Sequence, residues 1–460
     1  MTRPARPYRP EFSAILGIAV PMGLSQFAQM LMGLTDSMLL GGIGAQALAV
    51  GGLATGTFFT LNAILAAMVE AGGIMLAQAR GRHDHDSPGT TITSMLVVAG
   101  ALCVPELYCL HHIDHLLAWL DEPEAIRGPV VTFVHILMWA VPPALLGQGI
   151  LTTALPVMGA QGIPMRVMPF VTVVNGVLNA ALIHGWCGLP ALGLHGSAVA
   201  TVITLWCMPL IMLCFVVRRP DLRRSLRPRG HDWRHTLVLL RTGLPMLASA
   251  MAEVTLFQVN SLEAATLGSN ALAAFQIMLG IGLQSFTLYL ALGQACNIRV
   301  GYWTGRGDPA MMRRAALAGM VLGVGLAGTA TLLLALGRHA IIGFYLDTAL
   351  PDNAQAVQIA LDVLLIGAAF QLPDALQAIA TGVLRGQGDT TVPMLVAVTG
   401  YWGIGFPGGL YLAFHQGLGA WGLWCGNGIG LVCVSVLLGA RIIWRMRPRV
   451  AAKQAAPPAG

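Results

Sequence analysis

Three carboxylates stand out inside apolar stretches of this sequence: Asp36, Glu253 and Asp374. In a bilayer each charge costs about 2.5–3.5 kcal/mol at mid-depth, so each acid must be paired, protonated or turned toward water. Acids kept under that cost serve by default to take up and release a proton or small cation; the alternative is a packed structural acid. Spacing sharpens the first reading. When the second half is slid back until Pro245 lies on Pro21, Gln29 falls on Glu253 and Asp36 on Asn260. Each half then carries two polar side chains two helical turns apart, on one face. One of each pair is acidic, at a different depth in each half, which gives each half its own titratable or cation-binding position.

Asn175 and Asn179 form another same-face pair, at i and i+4. An amide can donate to and accept from a carboxylate in either protonation state, which suits a site that gains and loses a cation. Interhelical packing bonds, worth about 1 kcal/mol each, are the competing explanation. Pro21 and Pro245 lie within apolar spans, where a missing N–H and a ring clash kink a helix, as a hinge or as a static bend. Met22, Met30, Met32, Met38, Met251 and Met278 either line an adaptable pocket or fill apolar space.

The elements that hold these residues are membrane helices. Of 460 residues 56% are apolar and 10% charged, too little charge to solvate a soluble protein of this size. Twelve apolar stretches approach or exceed the ~20 residues needed to cross hydrocarbon: 13–40, 48–76, 91–110, 129–157, 164–183, 192–217, 236–262, 270–296, 315–336, 354–384, 392–414 and 420–444. The register that pairs Pro245 with Pro21 lays Leu244-Pro245-Met246 over Val20-Pro21-Met22, and Gly268, Ala271, Leu272 and Ala273 over Gly44, Ala47, Leu48 and Ala49. Shifted two places further, Gln387-Gly388 meets Gln161-Gly162, and Gly419 and Gly422 meet Gly193 and Gly196.

The expected fold is therefore all-α integral membrane, with twelve transmembrane helices in two parallel six-helix repeats. Residues 1–217 form the N-terminal lobe, 218–235 an Arg-rich connector, 236–446 the C-terminal lobe and 447–460 a tail. Six helices per repeat is even, so the halves are related by an axis along the membrane normal, with a substrate site expected between them near mid-depth.

Basic residues set the orientation. Of 26 Lys and Arg, all but Arg127 and Arg338 fall in alternate segments, which the positive-inside rule places in the cytoplasm with both termini. The chain is expected in a bacterial inner membrane, as a multi-pass monomer. Its pI near 9 follows from topology, and its basic residues lack the aromatic interleaving that nucleic-acid binding needs. The run from Arg218 to Arg234 is a solvated loop near anionic headgroups. Eight cysteines without a C-x-x-C pair give neither a disulfide framework nor a zinc site. The apolar stretch 13–40 is too long for a signal-peptide core and is taken as a retained first helix.

His111-His112-Ile113-Asp114-His115 invites comparison with a histidine box, but His83 and His85 lie on the opposite face and no second box converges, so no metal is expected there. His135 and His184 are taken as helix or interface histidines. No nucleophile–base pair or convergent metal set points to an enzyme.

Several runs resemble a known family. Pro21-Met22-Gly23-Leu24-Ser25-Gln26 through Thr35-Asp36, then Gly44-Ala45-Gln46-Ala47-Leu48-Ala49, resemble the first helix and loop of multidrug and toxic compound extrusion (MATE) exporters. Gly243-Leu244-Pro245 with Glu253 resembles their seventh-helix motif. Val300-Gly301 with Gly305 and Gly307-Asp308, and Gly382 through Thr390, resemble the loops after helices eight and ten. The resemblance covers nearly the whole chain. It implies two lobes in a V that alternate between openings and export cationic amphiphiles against protons or sodium. Asp36, Asn175 and Asn179 occupy the positions of the family's N-lobe cation site, and Glu253 and Asp374 those of the C-lobe acids of the bacterial NorM branch. Phe370 stands where that branch tends to have a tyrosine, so a sodium site at Glu253 and Asp374 loses an oxygen ligand and proton coupling gains.

The function expected is secondary antiport of organic cations or drugs against H+ or Na+, with no cofactor. The alternative is a flippase of lipid-linked precursors, which would need several cationic residues in its cavity; helix interiors here carry acids and almost no Arg or Lys.

Overall fold

The computed structural model describes residues 9–119, 123–345 and 354–447; Arg3, Arg6, Arg449 and Lys453 of the expected basic tails lie outside them. Every regular element among the described residues is a helix, and none is a strand. The N-terminal half comprises α1 (Arg9–Ile43), α2 (Ala45–Gly81), α3 (Ser87–His111), α4 (Glu124–Val157), α5 (Gly162–His184) and α6 (Leu194–Arg218). The C-terminal half comprises α7 (Trp233–Thr266), α8 (Ser269–Arg306), α9 (Pro309–Tyr345), α10 (Ala354–Gly386), α11 (391–415) and α12 (Gly419–Met446). Among the described residues eleven helices are long and apolar enough to cross a membrane.

The twelfth expected span differs. Although helical, α11 is broken by π-turns at Thr399–Gly405 and Tyr411–His415. Gly400, Gly403, Gly405, Gly408 and Gly409 weaken the helix, and Pro407 has no N–H to return to the preceding turn. The same glycines let the backbone touch α12, where a Cβ on Gly426 would overlap Gly409 and one on Gly430 would press on the Gly400 carbonyl at 2.7 Å.

The first helix of each half crosses to the second helix of the other: α1 packs on α8, α7 on α2, and α2 on α8. Where α2 and α8 cross, a Cβ on Gly81 would overlap the Tyr302 carbonyl and one on Gly305 the Gln78 carbonyl. These contacts are mirror positions, since Gly305 falls on Gly81 and Tyr302 on Gln78 in the repeat register. Nearby, Gln78 Nε2 donates to the Gly386 carbonyl (3.1 Å), and Arg299 grips Glu11 through Nε and Nη2 at 3.1 and 2.7 Å. One end of the interface, the Arg-rich one, is thus held shut.

Loops on that face are pinned by local chemistry. Asp84 accepts from Ser87 Oγ (2.6 Å) and from the amides of Ser87 and Asp86 (3.1 and 3.0 Å), which start α3. These hydrogen bonds pull its carboxyl down to about 2, so this brace is fully present above pH 4 and is lost as pH falls through 2. In the connector, Arg229 pairs with Asp86, and its backbone amide donates to Thr93 Oγ1 at 3.0 Å.

The two helix prolines have unequal surroundings. Pro21 cannot donate to the Gly17 carbonyl four residues back, and Gln161 Nε2 from the α4–α5 loop fills that place at 3.1 Å. Ser25 and Ser249, equivalent in the repeat, donate to the carbonyls of Pro21 and Pro245 at 2.8 and 3.0 Å. Gln161→Leu should cost about 1 kcal/mol in thermal unfolding of the purified protein. The loss should vanish in a Pro21→Ala background, where the restored N–H serves Gly17; an equal loss in both backgrounds would show that Gln161 acts elsewhere.

Candidate cation and substrate site

The sequence-derived residues separate into two groups. In the N-terminal half, Thr172 on α5 donates to the Ala28 carbonyl of α1 at 2.9 Å, and Gly176 lets the helices approach until a Cβ there would meet the Thr35 methyl at 3.2 Å. That approach buries Asp36 to 5% exposure, with Asn175 and Asn179 wholly enclosed. Asn179 Nδ2 donates to Asp36 Oδ1 at 2.6 Å, while Asn175 Nδ2 points to Thr204 Oγ1 at 3.4 Å. The carbonyl oxygens of both asparagines have no protein partner. Buried acceptors in that state, beside a carboxylate, are what a proton or small cation would satisfy.

The second group lines a cavity of about 810 Å³ between the halves. Glu253 enters from α7 and Asp374 from α10, within electrostatic reach of each other. Apolar and aromatic surface surrounds them, including Met22, Met30, Met32, Met278, Phe257 and Phe286. Met38 and Met251, by contrast, are exposed and do not line the cavity. Asp36, Asn175 and Asn179 do not line this cavity. Phe370, in place of the hydroxyl-bearing residue, stacks where Gly428 leaves room for its ring. Two phenols lie in reach of Asp374: Tyr401, which lines the cavity and also faces Glu253, and Tyr289, whose hydroxyl donates to Gln371 Oε1 at 2.6 Å.

One expectation is corrected. Arg385 lines the cavity, facing Glu70 and Glu253, so the helix interior does carry a cation. The reason is that α10 continues to Gly386, and a helical side chain leans toward its helix's N-terminus, here toward mid-membrane. Two acids that the spans carry into the protein interior escape the sequence analysis as well. Glu70 of α2 lines the cavity, and Glu106 of α3 is enclosed with Asn62 Nδ2 donating to it at 3.2 Å. Both interrupt apolar runs, Met68-Val69-Glu70-Ala71 and Val104-Pro105-Glu106-Leu107, and Glu70 falls on Gln294 in the repeat register. Among the described residues, one group has metal-ligand spacing: His112, Asp114 and His115, with donor atoms within 4.8 Å of one another and away from the cavity lining.

A cavity between two six-helix repeats, with acids on its walls and one end shut, defines a membrane transporter. The chain belongs to the MatE family, whose model matches residues 21–181 and 245–410, two segments that begin at the equivalent prolines of the repeat. It is 39% identical to the multidrug resistance protein NorM of Burkholderia vietnamiensis, over 96% of this chain and 94% of the relative. It is 36% identical to the probable multidrug resistance protein NorM of Rhizobium meliloti, over 97% and 96%. Among solved structures, a eukaryotic MATE transporter superposes with a TM-score of 0.84 at 19% identity, covering 95% of this chain and 96% of the other. A multidrug resistance MATE family transporter in an outward-facing conformation superposes with a TM-score of 0.86 at 18% identity, over 95% and 97%.

Proposed function

We propose that this protein is a monomeric secondary antiporter that exports organic cations across a bacterial inner membrane in exchange for H+ or Na+. The observation that carries this is the position of Glu253 and Asp374 on the wall of a cavity shared by both halves. Multidrug resistance in the names of its relatives fits drugs as substrates. The Arg-rich face, with both termini, is taken as cytoplasmic. On that assignment the glycine crossing shuts the inner side and the cavity belongs to an outward-opening state.

Exchange follows from competition. A cationic substrate and a coupling cation both favour the acids, and whichever binds one conformation better shifts the halves toward it. Asp36, held by Asn179, offers a second cation position outside the substrate cavity, so the coupling ion need not share every ligand with the drug. If sodium is the coupling ion, Glu253 and Asp374 are its expected ligands; Phe370 supplies no oxygen there, which favours the proton. The flippase alternative gains little from Arg385, a single cation on a lining that also holds Glu70, Glu253 and Asp374.

Exchange of one proton for one monovalent drug moves no net charge. With two acid sites an extra coupling cation moves, and ~2.3 kcal/mol per 100 mV becomes available. Efflux in valinomycin-clamped vesicles is expected to rise with membrane potential; indifference to potential would establish single-ion, electroneutral exchange. Equal efflux of anionic and cationic amphiphiles would overturn the substrate class.

A further inference from the structure

Glu70 sits on α2 at the level where Ala66, Val69 and Gly73 pack against Gly149 and Thr153 of α4. There α4 is a π-turn, Leu145–Leu151, and the extra residue in such a turn re-aims side chains, often at functional sites. Within it Gln148 lines the cavity beside Glu70, its backbone carbonyl accepting from Thr152 Oγ1. The amide nitrogen of Gln148 is enclosed and has no protein partner. An amide can present either its donor or its acceptor end, so Gln148 can steady the Glu70 carboxylate or receive an N–H from a ligand.

Across the cavity the other wall carries Glu253, Asp374 and Arg385. With all carboxylates ionised, the two walls hold three negative charges and one positive, and Arg385 is shared between Glu70 on one wall and Glu253 on the other, so two negative charges are left across the cavity. The charges stand in an apolar surround, where a cation's hydration must be replaced by specific partners. A monocation can offset only one of the two.

We propose that Glu70 and Gln148 form a second cation subsite on the N-half wall, and that the cavity therefore selects organic dications, one charge on each wall. This rests on the export function proposed above and adds the substrate class that the cavity prefers. Apolar surface between the walls, such as Met246 and Phe257, would take the body of the molecule.

Ethidium and propidium test it, because they share one aromatic cation and propidium adds a quaternary ammonium arm. Binding of each dye to the purified chain in lipid nanodiscs is followed by fluorescence anisotropy. Propidium is expected to bind about tenfold tighter than ethidium, the order of one added charge-assisted contact. Glu70→Gln should bring that ratio close to one, and Gln148→Leu should lower it in the same direction. A ratio unchanged in both variants would overturn the second subsite. Should Glu70→Gln fail to assemble, Gln148→Leu alone decides in the same way. Failure of the unaltered protein to bind either dye would instead overturn the export function on which the subsite rests.

Discussion

Asp36→Asn and Glu253→Gln should each reach the membrane at normal levels and lose active export, by about tenfold or more at matched expression. Each replacement keeps side-chain shape and removes a charge, so insertion is unharmed or eased. A neutral amide cannot bind and release a proton, and a ligand shifts a conformational equilibrium only through its differential affinity for the two states. In Asp36→Asn, Asn179 would still find an oxygen on the substituted side chain, so the N-half packing at 2.6 Å should survive while coupling does not. Asp374→Asn should be milder if that acid serves mainly to tune Glu253. Vesicle efflux with surface expression measured in parallel checks all three. Full efflux by the Asp36→Asn, Glu253→Gln double mutant would mean that both acids are structural and that coupling lies elsewhere.

Gly81→Ala and Gly305→Ala should also abolish transport, for a different reason. Any Cβ at either place overlaps the backbone of the facing helix, and a carbonyl on a packed helix cannot turn aside as a flexible side chain can. The Arg-rich end could then not close, and the protein would rest with its cavity open to that side. A cysteine introduced by Thr152→Cys, in a cysteine-free background, should become reactive to an impermeant thiol reagent applied from the Arg-rich face. Gly52→Ala is the matched control on the same helix, because nothing lies within 4 Å of a Cβ there. Equal export by Gly81→Ala and Gly52→Ala would show that α2 and α8 do not form the gate.

Much of this is legible in the chain itself. Membrane helices declare themselves by length and hydropathy, and the duplicated register ties Asp36 to Asn260 and Gln29 to Glu253 without coordinates. Spacing gives the face, but not the direction in which that face turns: Asp36 looks into its own half and Glu253 into the shared cavity. Arg385 escapes notice because it sits at the end of an apolar run, where composition reads as loop while the helix continues. Glu70, like Asp36 and Glu253, falls on an amide in the other half, Gln294, but it has no second polar side chain one or two turns away on its own helix, so a search for same-face polar pairs passes over it. The π-turns of α11 come from its glycines and Pro407, which a hydropathy window averages into an ordinary span. The gate is present as two glycines at equivalent places in the repeat, but their contact depends on a crossing of α2 with α8 that periodicity alone does not give.

Inverted membrane vesicles offer the most direct test of cation-coupled export. A fluorescent organic cation is followed while a proton gradient and a sodium gradient are imposed separately. The cation should accumulate in the lumen against its gradient when either the proton or the sodium gradient is applied, with the proton expected to be the more effective, and Glu253→Gln should abolish this. Accumulation that ignores both gradients, or that persists in Glu253→Gln at matched expression, would contradict coupling through the cavity acids.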